Sequence, residues 1–134
     1  MIEFRAYVDE KRYAYTLVRI VSTRKAMMSD IRASGFMLPG KCGEMQMGQC
    51  SGLAHYSKSG RLTGRFACIW LNVPDLQSGA SEIISHEATH AAMRHAVNRS
   101  ADLSKMEGEE VLCYAVGVLT RAIVNKCHKH KVFT

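Results

Sequence analysis

From residue 81 to residue 126 the sequence reads as two helices joined by one short polar link, and helices joined so closely must pack antiparallel. This pair limits the fold more than any other feature of the chain. The first helix is predicted over about 81–97, capped by Ser78 or Ser81, with Glu82 in the first turn where the helix dipole favours a negative charge. Residues 98–105 form the link, and Ser104 with Glu107 has capping-box spacing for a second helix over about 107–126. That helix is nearly all apolar after Glu110 and is expected to be buried.

Ahead of the helices the patterning turns to strands. Residues 3–8 alternate in character, 9–11 have turn chemistry, and 13–21 are rich in aromatic and β-branched residues, which predicts a β-hairpin. Ser22 or Thr23 then caps a short helix through Met27, Met28 and Ile31 to about Ala33, with Gly35 as its stop. Residues 39–64 hold six glycines and little periodicity and read as a long irregular connection, the kind of segment that often carries function. Residues 65–73 read as a strand that Pro74 and Asp75 end. With 134 residues, 47% of them hydrophobic, there is material for one packed core, so the expectation is a single α+β domain with a small, mainly antiparallel sheet. Residues 127–134 are basic and are expected to fray.

Composition narrows the function classes. No stretch approaches the roughly 18 apolar residues that span a bilayer, and Glu3, Arg5 and Asp9 interrupt any signal-like run, so a cytoplasmic protein without membrane contact is expected. The net charge of +6 admits acidic partners, but the basic residues are scattered and not interleaved with aromatics, which supports nucleic-acid binding only weakly. Cys42, Cys50, Cys68, Cys113 and Cys127 show no zinc-ribbon spacing and read as reduced thiols.

One motif carries chemistry: His86-Glu87-Ala88-Thr89-His90, on the first of the paired helices. At about 100° per residue, His86 and His90 share a face one turn apart and can grip one ion, while Glu87 sits where a general base belongs. A catalytic zinc needs a third protein ligand and leaves a fourth position open. Glu109 and Glu110, at the start of the next helix, are both candidates, since an antiparallel partner helix returns level with the histidines. His95 is the rival, but on a continued helix it lies about 140° round from His90, and it reads as an exposed or hydrogen-bonded surface histidine. In the tail, His128 and His130 beside Cys127 could hold a second metal, with a disordered segment the simpler reading.

With Glu110, twenty positions after His90, the set resembles the gluzincins, the thermolysin-like branch of the zincin metallopeptidases, over about residues 64–124. It is also similar to small metallopeptidases encoded by phages and prophages, in which His-Glu-x-x-His-Ala-Ala precedes a helix opening with Glu and then Tyr four residues on; here these are residues 86–92, Glu110 and Tyr114. The resemblance favours Glu110 over Glu109 and implies a minimal zincin-like domain in which the 65–73 strand lies beside the cleft. Thermolysin-like enzymes have an aspartate where this chain has Tyr114, so a backbone carbonyl, Asn72 or Asp102 is expected to orient the first histidine instead. Tyr114 is the first candidate for stabilising the oxyanion, with Tyr56 and His55 behind it.

The implied activity is zinc-dependent endopeptidase hydrolysis of a peptide or protein substrate, with His86, His90 and Glu110 on Zn2+, Glu87 as base and Tyr114 as donor. Two other readings stand beside it. A non-catalytic zinc-containing binding or inhibitor protein would close its site with a fourth ligand such as His55, Cys42, Cys50 or His128. A peptidase acting on DNA-bound substrates would show a strong salt dependence of DNA affinity.

Overall fold

The computed structural model describes residues 1–34, 48–51 and 64–133. Strand β1 (Ile2–Tyr7) and strand β2 (Tyr15–Val21) form the expected antiparallel hairpin, pairing Ile2 with Ile20 and Tyr7 with Tyr15. Asp9 shapes its turn: the carboxylate accepts the Tyr13 amide at 2.9 Å, and Arg12 takes a left-handed φ of 56°. Helix α1 (Arg24–Ala33) follows, with the Thr23 hydroxyl accepting the Ala26 amide at 3.0 Å as its N-cap. Strand β3 (Gly48–Ser51) is a strand that the glycine-rich sequence concealed; the rest of 39–63 lies outside the described residues. Strand β4 (Arg65–Asn72) leads into helix α2 (Val73–Asn98), and helix α3 (Met106–Lys129) closes the order.

The sheet runs β1-β2-β4-β3. β1 and β3 pair antiparallel with their neighbours, while β2 and β4 are parallel, so the sheet of this α+β chain is mixed. Seven consecutive β4 residues, Phe66 to Asn72, are buried, because helices cover both faces of that strand. Alternation along β4 divides them: Cys68 and Trp70 pack with Met27 and Ile31 of α1, whereas Ala67, Ile69 and Leu71 pack with α2 and α3. Trp70 is fully buried, with its indole N–H donating to Asp30 at 2.7 Å, and Asp30 also receives Arg19 at 3.2 Å.

The helix that carries the motif begins earlier than its sequence implied. Asn72 is its N-cap, accepting the Asp75 amide at 3.1 Å, and Pro74 occupies the first turn. Asp75 in turn accepts both Arg24 and Asn72, at 2.9 and 2.8 Å, fastening the start of α2 to α1. Gly79 (φ −154°, ψ 41°) then leaves helical geometry and kinks α2, so the boundary expected at Ser78 or Ser81 is an interruption rather than a start. Ser78 does not cap; its hydroxyl donates to the Asp75 carbonyl.

The link and the last helix also differ from expectation. Ser104 turns back on Asp102, 2.6 Å from its carboxylate, and α3 starts after Lys105 with no side-chain cap, so the capping box does not form. α3 is buried only along a stripe of Gly108, Ala115, Leu119, Ile123 and Cys127, not all round. Gly108 is required there, since a Cβ would lie 1.9 Å from the Asp102 carbonyl oxygen. The tail does not fray through residue 133. Helix α3 extends to Lys129, Val132 is buried, its amide reaches the Cys127 carbonyl at 2.8 Å, and Gln77 donates to its carbonyl. None of the described helices is long and apolar enough to cross a membrane.

Candidate metal centre

Beyond the Gly79 kink, α2 buries Ile83, Ile84, Glu87, Ala88, Ala91, Ala92, His95 and Ala96 and leaves the opposite face in solvent. Small alanines at 88, 91 and 92 let the helix sit close on the sheet and on α3, and this packing fixes which way the motif points. His86 and His90 emerge on the exposed face, with their rings edge to face at 4.8 Å and 75°. Their Nε2 atoms are 3.2 Å apart. Two nitrogens on one tetrahedral zinc, each at about 2.0–2.1 Å, are separated by about 3.3 Å, so the pair has the bite of a single ion. Burial, and behind it the charges of His86 and Arg94, holds His90 below the ordinary histidine range, which keeps the ring neutral as a ligand must be. Glu82, Ser85 and Thr89 complete an open depression around the two rings.

Glu87 differs from its neighbours. It is 6% exposed, and loss of solvent pushes its carboxyl up to about 7. Among the described residues it has no hydrogen-bond or ion-pair partner; it lies on the packed face of α2 and does not line the depression around the two histidines. Chemically, the two exposed imidazoles can hold a cation and the buried carboxyl of Glu87 can take up or release a proton near neutral pH.

The remaining expected residues do not form a ligand group with this pair among the described residues. Glu110 and Tyr114 are exposed on α3, on the side away from its buried stripe, Tyr114 at 63%, and Glu109 is exposed as well. Among the described residues no three His, Cys, Asp or Glu side chains are grouped to hold a metal, so the histidine pair supplies two donors and no third joins them there. His95 is not the surface histidine its position suggested. It is buried at 7% against Phe66, ring centres 5.0 Å apart. Asn72 is occupied as the α2 cap, and the exposed Asp102 carboxylate is occupied by Ser104, so neither expected orienting group is directed to the histidines. His55, Tyr56, Cys42 and the Cys50 side chain lie outside what the structure describes. Glu82, expected only as a first-turn charge, lies well inside α2, whose first-turn acid is Asp75; with Arg94 it shares the histidines' exposed side, and the signal for both was the repeated four-residue spacing. Compared with known proteins, the chain matches no family model, no curated protein and no solved structure.

Proposed function

We propose that the chain is a zinc-dependent hydrolase of peptide bonds, a small zincin-like metallopeptidase, in which His86 and His90 hold the metal and Glu87 is the general base. The observation that carries this reading is the 3.2 Å separation of two imidazole Nε2 atoms one residue from a buried glutamate that has no partner among the described residues. When bound, zinc supplies Lewis-acid polarisation of water and of the substrate carbonyl. Glu87 takes up the proton released on attack and returns it to the leaving amine, a task suited to a carboxyl whose proton affinity is raised by burial. Glu110 remains the proposed third ligand and Tyr114 the proposed donor to the developing oxyanion, both on the strength of spacing along the sequence. The proposed setting is a reducing compartment of a bacterial or phage-infected cell, in keeping with the free thiols of Cys68, Cys113 and Cys127.

One observation favours a second reading. Because Glu110 and Tyr114 face solvent and no third donor is grouped with the histidines among the described residues, the pair can equally hold zinc in a binding protein that performs no hydrolysis and closes its site with ligands from elsewhere. Glu87→Gln separates the two. In the peptidase it retains zinc and loses peptide hydrolysis; hydrolysis at the parent rate by Glu87→Gln removes the catalytic reading.

A further inference from the structure

Four exposed α2 residues, Glu82, His86, His90 and Arg94, follow one another at four-residue spacing. On a helix this spacing makes one continuous ridge, inclined by roughly 26° to the axis. The ridge is self-complementary when reversed. If two copies of α2 cross antiparallel with a twofold axis level with Ala88, His86 of one copy meets His90 of the other, and Glu82 meets Arg94. Each ion pair then lies about 9 Å along the helix from the axis, six residues at 1.5 Å each, flanking the histidines symmetrically. Ridges of this kind run alongside each other when helices cross at about 50°, the commonest packing class, so the approach is an ordinary one. Met93 and Val97, 39% and 65% exposed, lie on the same side of α2 and would be covered.

The metal chemistry fits the same arrangement. One chain offers two imidazoles with the bite of a single ion, and its described residues bring no third His, Cys, Asp or Glu to them. Two chains related by a twofold axis offer four, the number of donors a closed zinc site takes. We propose that α2 pairs with a second copy of this chain through the Glu82-His86-His90-Arg94 ridge, with one zinc ion bridged by both histidine pairs. This rests on the assignment of His86 and His90 as zinc ligands and not on hydrolysis. A four-histidine site has no open position, so the bridged dimer is a closed resting form, and any hydrolysis belongs to the separated chain.

Sedimentation equilibrium of the full chain, with zinc titrated in after chelator treatment, tests the proposal. The expected result is a monomer without zinc and a dimer holding one zinc per two chains. Glu82→Arg opposes Arg94 of the other copy with a like charge and is expected to weaken the dimer at least about tenfold, while Glu82→Arg combined with Arg94→Glu restores it. Zinc bound at one per chain by a monomer overturns the dimer and leaves the ligand assignment standing. A dimer indifferent to zinc, or to the single reversal, also overturns it. No zinc bound by the parent chain overturns both the dimer and the assignment beneath it.

Discussion

Gly108→Ala and Gly117→Ala are the same chemical change in the same helix, yet the structure gives them opposite signs. Helix propensity alone predicts that each alanine stabilises α3 by about 1 kcal/mol. At Gly117 nothing lies within 4 Å of the added Cβ, so that gain is expected in full. At Gly108 the Cβ would fall 1.9 Å from the Asp102 carbonyl oxygen and 2.4 Å from its carbon, where ordinary contact begins near 3.4 Å. The link must therefore retreat by about 1.5 Å, and it is held by the Lys105 amide on that same carbonyl at 3.1 Å and by the Ala101 amide on Ala96 at 2.9 Å. Overpacking costs about 1–3 kcal/mol and a lost hydrogen bond about 1, so Gly108→Ala should be less stable than the parent by about 2 kcal/mol after the propensity gain. In urea unfolding, with a slope of about 1.5 kcal/mol per molar, its midpoint should fall by more than about 1 M while that of Gly117→Ala rises by about half a molar. A Gly108→Ala protein as stable as Gly117→Ala would refute the close approach of α3 to the link.

Other consequences are as open to measurement. His95 is held below the ordinary histidine range by burial and by Arg99, against a smaller opposing effect of Asp9, so its folded-state pKa lies below the unfolded value. Above about pH 6.5 both states are neutral there; below it the unfolded chain takes up the proton first, so the contribution of His95 to stability should fall as pH drops from 6.5 to 5.5, opposite in sign to that of Glu87, and His95→Leu should make urea midpoints rise more steeply than the parent's over that interval. Trp70→Phe keeps most of the buried ring but removes the indole donor from Asp30, and should cost about 1–3 kcal/mol by thermal unfolding; a change within about 0.5 kcal/mol would contradict the role of that bond. For Glu87→Gln, hydrolysis of a cleaved peptide should drop by at least about a hundredfold with zinc content unchanged.

The sequence displayed some of this architecture openly and concealed the rest, for physical reasons. The hairpin, the Thr23-capped helix and β4 were legible because turn chemistry, cap and β-branched runs agreed with one another there. β3 was hidden because its pairing with β4 comes from a distant strand and not from local preference in Gly48–Ser51. The start of α2 was misplaced because Gly79 and the serines around it resemble a boundary, whereas Asn72, Pro74 and Asp75 had already nucleated the helix. The phase of α3 was ambiguous, since Val111, Leu112, Val116, Val118 and Val124 make it apolar on several sides. Only packing shows that Gly108, Ala115 and Leu119 face inward and that Glu110 and Tyr114 face out. The histidine pair was legible from spacing alone; the burial of Glu87 beside it was not.

The most direct test of the account is the zinc content of the purified full chain by mass spectrometry, compared with His86→Ala and His90→Ala. The parent is expected to bind zinc, and either substitution, by removing one half of a 3.2 Å pair of donors, to abolish that binding while far-UV circular dichroism stays unchanged. A parent that takes up no zinc on reconstitution, or one whose zinc survives both substitutions, would contradict it.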